Sequence, residues 1–82
     1  MRESVKKFAE AMNHRLNEYD ADLEVAGPDD GKLVYFLAKL IDETKELEEY
    51  IGSGYLNGGR KVAVDVANSS RIIFDICERL IG

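Results

Sequence analysis

Lys32-Leu33-Val34-Tyr35-Phe36-Leu37-Ala38-Lys39-Leu40-Ile41-Asp42-Glu43-Thr44-Lys45-Glu46-Leu47-Glu48-Glu49-Tyr50-Ile51 is the stretch whose reading decides the fold. Leu33, Leu37, Leu40, Thr44, Leu47 and Ile51 step by 4, 3, 4, 3 and 4 along one seam, the alternation of an α-helix and not of a strand. A helix is therefore expected over residues 32–51. Upstream, residues 20–31 hold Asp20, Asp22, Gly27, Pro28, Asp29, Asp30 and Gly31, which is loop chemistry ending on Asp29 or Asp30 as an N-cap. Downstream, Gly52-Ser53-Gly54 stops the helix, with Gly52 suited to a left-handed cap. The stretch to Asn57-Gly58-Gly59 reads as a flexible connector.

Two further helices flank this one. Residues 3–19 place Val5, Phe8, Ala9, Met12, Leu16 and Tyr19 at helical spacing. From Arg60 to Leu80, Val62, Val66, Ser69, Ile73, Ile76 and Leu80 form a seam, and a second runs beside it through Ala63, Ala67, Ser70, Phe74, Cys77 and Ile81. Two adjacent seams make an apolar arc wider than one packing partner needs. A chain of 82 residues also buries only about 60% of its unfolded surface, so a second copy would help close its core. The expected architecture is all-α: a single domain over residues 1–82, a small bundle of three main helices completed by homo-oligomerisation, as a dimer or a tetramer.

Composition narrows the function. The chain carries 16 acidic and 11 basic residues, and ten of the acids fall within residues 20–51. An acidic chain with no basic stripe is a poor nucleic-acid binder, because phosphate contacts supply most of that affinity. The same acidity suits divalent cations, which take hard oxygen ligands, although it also serves plain solubility. The one cysteine, Cys77, forms no internal disulfide, no run approaches a membrane span and no signal peptide opens the chain. The expectation is a soluble cytoplasmic protein with no membrane partner. There is no phosphate-binding Gly-rich loop and no nucleophile elbow. His14 has no His or Cys at ligand spacing and reads as a surface residue, not a zinc ligand.

The acids that stand out lie on the wrong side of their helices. At about 100° per residue, Phe36 and Tyr50 flank Glu43 by about 20° on either side, with Leu40 and Leu47 just beyond Phe36. Glu43 is thus set into the rim of the apolar face, with Glu46 one turn on. On the third helix Ile72 and Ile76 flank Asp65 in the same way, and Asn68 lies one turn on. An ionised carboxylate at the rim of a packing face is costly unless something pairs with it. Lys39 and Lys61 stand four residues before Glu43 and Asp65, so ordinary i,i+4 ion pairs reaching to water are one reading. The other is that the packed helices bring Glu43, Glu46, Asp65 and Asn68 together as a divalent-cation site.

Leu40-Ile41-Asp42-Glu43-Thr44-Lys45-Glu46-Leu47, a turn, and then Asp65-Val66-Ala67-Asn68 resemble the MazG-like nucleoside triphosphate pyrophosphohydrolases. That all-α family has Glu-Glu-x-x-Glu on one helix and Glu-x-x-Asp on the next. Asp42-Glu43-x-x-Glu46 matches the first motif with Asp for its leading Glu, and Asp65 matches the end of the second. Phe8-Ala9-x-x-Met12 with Leu16 is similar to the opening helix of small phage and archaeal members. The resemblance implies Mg²⁺-dependent (Mn²⁺ as an alternative) hydrolysis of a (d)NTP substrate to the monophosphate and pyrophosphate by a homo-oligomer. Carried over by position, it makes Glu43, Glu46 and Asp65 metal ligands and Asp42 an outer-shell base. Asn68, Lys39 and Lys61 become substrate contacts.

One position departs from the pattern. The Glu of Glu-x-x-Asp falls at Val62, and no acid lies between Tyr50 and Asp65 to replace it. Three carboxylates still suffice for one magnesium, which usually keeps several waters, but a two-metal site is harder to build. Two alternatives therefore stand beside the enzyme: a catalytically degenerate relative kept for nucleotide or protein binding, and a plain helical dimerisation module. Arg71 fits an i,i+4 pair with Asp75 better than a phosphate contact. Tyr35, Tyr50 and Tyr55 are candidate stacking surfaces for a base.

Overall fold

The computed structural model describes residues 1–18 and 29–82, with side chains described for 1–16 and 31–82. Three helices make up the described chain: α1 (Glu3–Glu18), α2 (Asp29–Ser53) and α3 (Leu56–Ile81), with no strand among the described residues. Most of the loop expected at residues 20–31 lies outside the described residues. Its last three positions, Asp29, Asp30 and Gly31, are already helical, so α2 starts one turn earlier than its apolar periodicity announces.

The α2–α3 connection is tighter than expected, and glycine is the reason. Gly52 stays helical and it is Gly54 that takes the left-handed conformation, at φ 77°. The Gly54 amide donates to the Ile51 carbonyl at 3.2 Å and the Tyr55 amide to the Tyr50 carbonyl at 2.9 Å. These are the paired bonds of a Schellman ending, and the Tyr50 and Tyr55 rings, 5.5 Å apart and edge to face, supply its apolar contact. Helix α3 then begins at Leu56, so Asn57-Gly58-Gly59 is its first turn and not a flexible connector. Gly58 and Gly59 are both buried. A Cβ on Gly58 would lie 2.7 Å from the Tyr55 ring and 2.9 Å from the Tyr50 ring, and one on Gly59 would lie 3.1 Å from Ile51. Glycine here buys close approach of two helix ends, not freedom.

With only two residues in the link, α2 and α3 form a helical hairpin, and α1 packs on α3. The core is small: Phe36, Val62, Val64 and Ile76, with Asn68 and Ser69 buried among them. The buried arc of α2 runs through Phe36, Leu40, Glu43, Leu47 and Tyr50. The seam expected from leucine spacing is therefore off by part of a turn, since Leu37, Thr44 and Ile51 on it are exposed. The first seam of α3 is buried or half-buried through Val62, Val66, Ser69, Ile73 and Ile76, and ends at exposed Leu80. Its second seam is open at Ser70, Phe74 and Ile81. No described helix is long and apolar enough to cross a membrane.

The hairpin turn makes a direct prediction. Alanine is favoured over glycine inside a helix by about 1 kcal/mol, so steric space alone decides the sign. Gly58→Ala is expected to lower the melting temperature because two rings must move, and Gly59→Ala to lower it less. Paired thermal melts by circular dichroism test this; a stabilised Gly58→Ala protein would show the rings to be easily displaced.

Candidate functional site

Of the acids singled out by their position, Glu43 and Asp65 face inward and each has a compensating partner, whereas Glu46 is exposed. On α2, Glu43 is half-buried in the middle of the face turned to α3, and the Ser69 hydroxyl donates to its Oε1 at 2.6 Å. Burial pushes the Glu43 carboxyl above the ordinary glutamate range. The Ser69 hydrogen bond and the Lys39 charge pull it back, whereas the Asp65 and Glu46 charges push it further up. Glu43 therefore senses both Glu46 on its own helix and Asp65 on α3.

Asp65 is held from a different direction. The Arg15 guanidinium reaches from α1 and donates through Nε to Oδ1 at 2.8 Å and through Nη2 to Oδ2 at 3.3 Å, a two-pronged ion pair. The side chains are only 16% and 22% exposed, so the pair is shielded from water and ties α1 to α3. The expectation that Lys61 would be the base beside Asp65 overlooked Arg15. A signal was available: Arg15 follows Met12 by three residues, and so sits in the apolar stripe of α1 as Glu43 does in that of α2. Ser69 was read only as a small residue in a packing seam.

A cleft of about 380 Å³ opens beside this pair, lined by Arg15, Glu46, Tyr50, Tyr55, Asn57, Gly58, Lys61, Val62 and Asp65. It lies in the size range of small-molecule sites. Glu46 and Lys61 are exposed on its wall, and Val62, at 6% exposure, forms its apolar floor. The other expected site residues are placed elsewhere. Glu43 sits behind the cleft wall, and Asp42 is exposed on the flank of α2. Lys39 is half-buried and acts on Glu43. Asn68 is buried and its amide donates to the Met12 carbonyl at 3.2 Å, so it braces α1 against α3. Arg71 pairs with Asp75 at 2.6 Å, as its spacing suggested. His14 is exposed. Of the three candidate stacking tyrosines, Tyr50 and Tyr55 line the cleft.

Among the described residues, no three acidic, histidine or cysteine side chains are gathered closely enough to hold a metal ion by themselves. Mg²⁺ typically takes one or two protein carboxylates and completes its octahedron with substrate phosphate and water; the cleft lining carries two carboxylates, Glu46 and Asp65, the second engaged by Arg15. No family model, no curated protein and no solved structure matches this chain.

The environment of Glu43 predicts a pH dependence of stability. Its carboxyl holds a proton more tightly in the folded chain than in the unfolded one. Its contribution is therefore most favourable below the ordinary glutamate value of about 4.3 and declines as pH rises from there through the raised folded value. Glu43→Gln keeps an acceptor for Ser69 and removes the charge. The variant is expected to melt higher than wild type at pH 7, with the advantage vanishing towards pH 4. Equal advantages at both pH values in parallel thermal melts would rule out the buried charge as the cause.

Proposed function

We propose that this chain is a MazG-like nucleoside triphosphate pyrophosphohydrolase acting as a homo-oligomer on magnesium-complexed (d)NTPs. One observation carries the reading: Glu46 on α2 and Asp65 on α3, the two acids whose charges act on Glu43, line a cleft that also holds two bases and two tyrosines. Acids for a cation, bases for phosphate and rings for a nucleobase are the three chemistries that a magnesium nucleotide needs.

In this reading the phosphates lie against Lys61 and Arg15, whose charges offset that of the chain undergoing hydrolysis. Tyr50 and Tyr55 offer the base an aromatic wall. Glu46, Glu43 and Asp65, which form no cage by themselves, would hold the cation together with the substrate's phosphates, and the ion would supply charge neutralisation and an oriented water. Water attack then separates the α- from the β-phosphate and releases the monophosphate and pyrophosphate. Asp42, on the outer flank of α2, is the sequence candidate for accepting the water's proton, and Asn68 supports the site from behind by fixing α1.

The oligomer rests on exposed apolar surface. Val34, Leu37 and Ile41 project from the back of α2 at 70%, 52% and 48% exposure, and α3 leaves Phe74 and Ile81 open. The radius of gyration, 13.7 Å, exceeds the roughly 12 Å of a compact domain of this length. An open hairpin with apolar backs is what a subunit contributes to a larger bundle.

A second reading is favoured by Val62. It is 6% exposed at the position where the family motif carries a ligand, and a valine on the cleft floor suits a degenerate relative that binds nucleotide or protein without turning it over. The two readings part in one assay. Under the first, purified protein with Mg²⁺ releases pyrophosphate from at least one (d)NTP, and Glu46→Ala abolishes the release. No release above a buffer blank from any nucleotide would sink the enzyme and leave the bundle. Val62→Glu, which adds an acid beside Glu46 and Asp65, is expected to raise turnover at least tenfold if the site is degenerate. Sedimentation of Ile41→Glu, expected to shift mass toward the monomer, checks the oligomer independently.

A further inference from the structure

The geometry points to Arg15 as a phosphate-responsive latch on Asp65: its guanidinium holds the carboxylate in the protein alone and moves to the polyphosphate of an incoming nucleotide, freeing Asp65 for the cation that the nucleotide carries. This rests on the hydrolase reading above, and it assigns a role to a residue outside the acidic motifs. Arg15 and Asp65 both line the cleft, together with Glu46 and Lys61. Both oxygens of Asp65 are engaged by Arg15, at 2.8 and 3.3 Å. Asp65 thus turns both oxygens fully to a cation only if the guanidinium lets go.

The exchange is balanced in charge. Before it, arginine pairs with carboxylate and the cation with phosphate; after it, arginine pairs with phosphate and the cation with carboxylate. No shielded charge is left without a partner on either side of the equilibrium, which is the condition for such a swap to be cheap. Geometry allows it as well, because the guanidinium fork that meets two carboxylate oxygens meets two phosphate oxygens equally well. The reach is short, since donor and acceptors border the same cleft. Lys61, a point charge one helix turn before Asp65 on the same cleft, can steer the phosphates but cannot grip Asp65 in this two-pronged way.

The latch makes binding of cation and phosphate mutually dependent, so it can be read without turnover. Mn²⁺ alone, followed by the electron paramagnetic resonance of the free ion, is expected to bind Arg15→Gln about tenfold more tightly than wild type, while inorganic tripolyphosphate binds that variant about tenfold more weakly. Adding Asp65→Asn to Arg15→Gln should erase the Mn²⁺ gain, and Arg15→Lys should fall between. A purely structural brace would weaken both ligands together, so Mn²⁺ affinity equal to or below wild type in a folded Arg15→Gln protein overturns the latch. If that variant does not fold, the wild-type protein decides: the Arg15 Nε–H resonance should shift on adding tripolyphosphate, and an unmoved resonance under saturation overturns it too. Pyrophosphate release by wild type is a separate readout. Exchange without release keeps the latch and removes the hydrolase, whereas release with wild-type ligand binding in Arg15→Gln does the reverse.

Discussion

The structure depends on how two carboxylates, Glu43 and Asp65, are tolerated between helices. A packing face with an ionised acid in its middle is unstable unless the charge is answered locally. Here Ser69 answers Glu43 from the facing helix and Arg15 answers Asp65 from a third. Each compensation is also a tertiary link: the first registers α2 against α3, the second pins α1 to the hairpin. The acids are therefore not surplus to the fold. They are reasons for the helices to sit where they do.

The hairpin turn fixes that register from the other end. Gly54 closes α2, and Gly58 and Gly59 let the start of α3 run against Tyr50, Tyr55 and Ile51 without the width of a side chain between them. A two-residue link leaves little room to slide, so Glu46 and Asp65 are placed by the same turn that supplies the aromatic wall of the cleft. Fold and candidate site share one construction.

An acidic motif on neighbouring helices is not in itself a cation cage. No cage is assembled among the described residues, and Val62 fills with hydrocarbon a place where another acid would help to make one. What is assembled is two inward acids, Glu43 and Asp65, each with an internal partner, beside an exposed Glu46.

The helical class, the three elements and the inward placement of Glu43 and Asp65 were legible in the sequence, because they follow from a period of 3.6 residues and nothing beyond the individual helix. The Arg71–Asp75 pair was legible for the same reason. What lay between helices was not. Leucine spacing offered one seam on α2, and only the presence of α3 selected the neighbouring arc through Phe36 and Tyr50 in place of Leu37 and Ile51. Glycines at positions 58 and 59 looked like slack because a sequence does not show what will press against them. Arg15 and Asp65 stand fifty positions apart, and local rules pair charges only within a turn or two of one helix. Which base answers which acid was settled by packing, where the cost of an unpaired charge is set by neighbours remote in the chain.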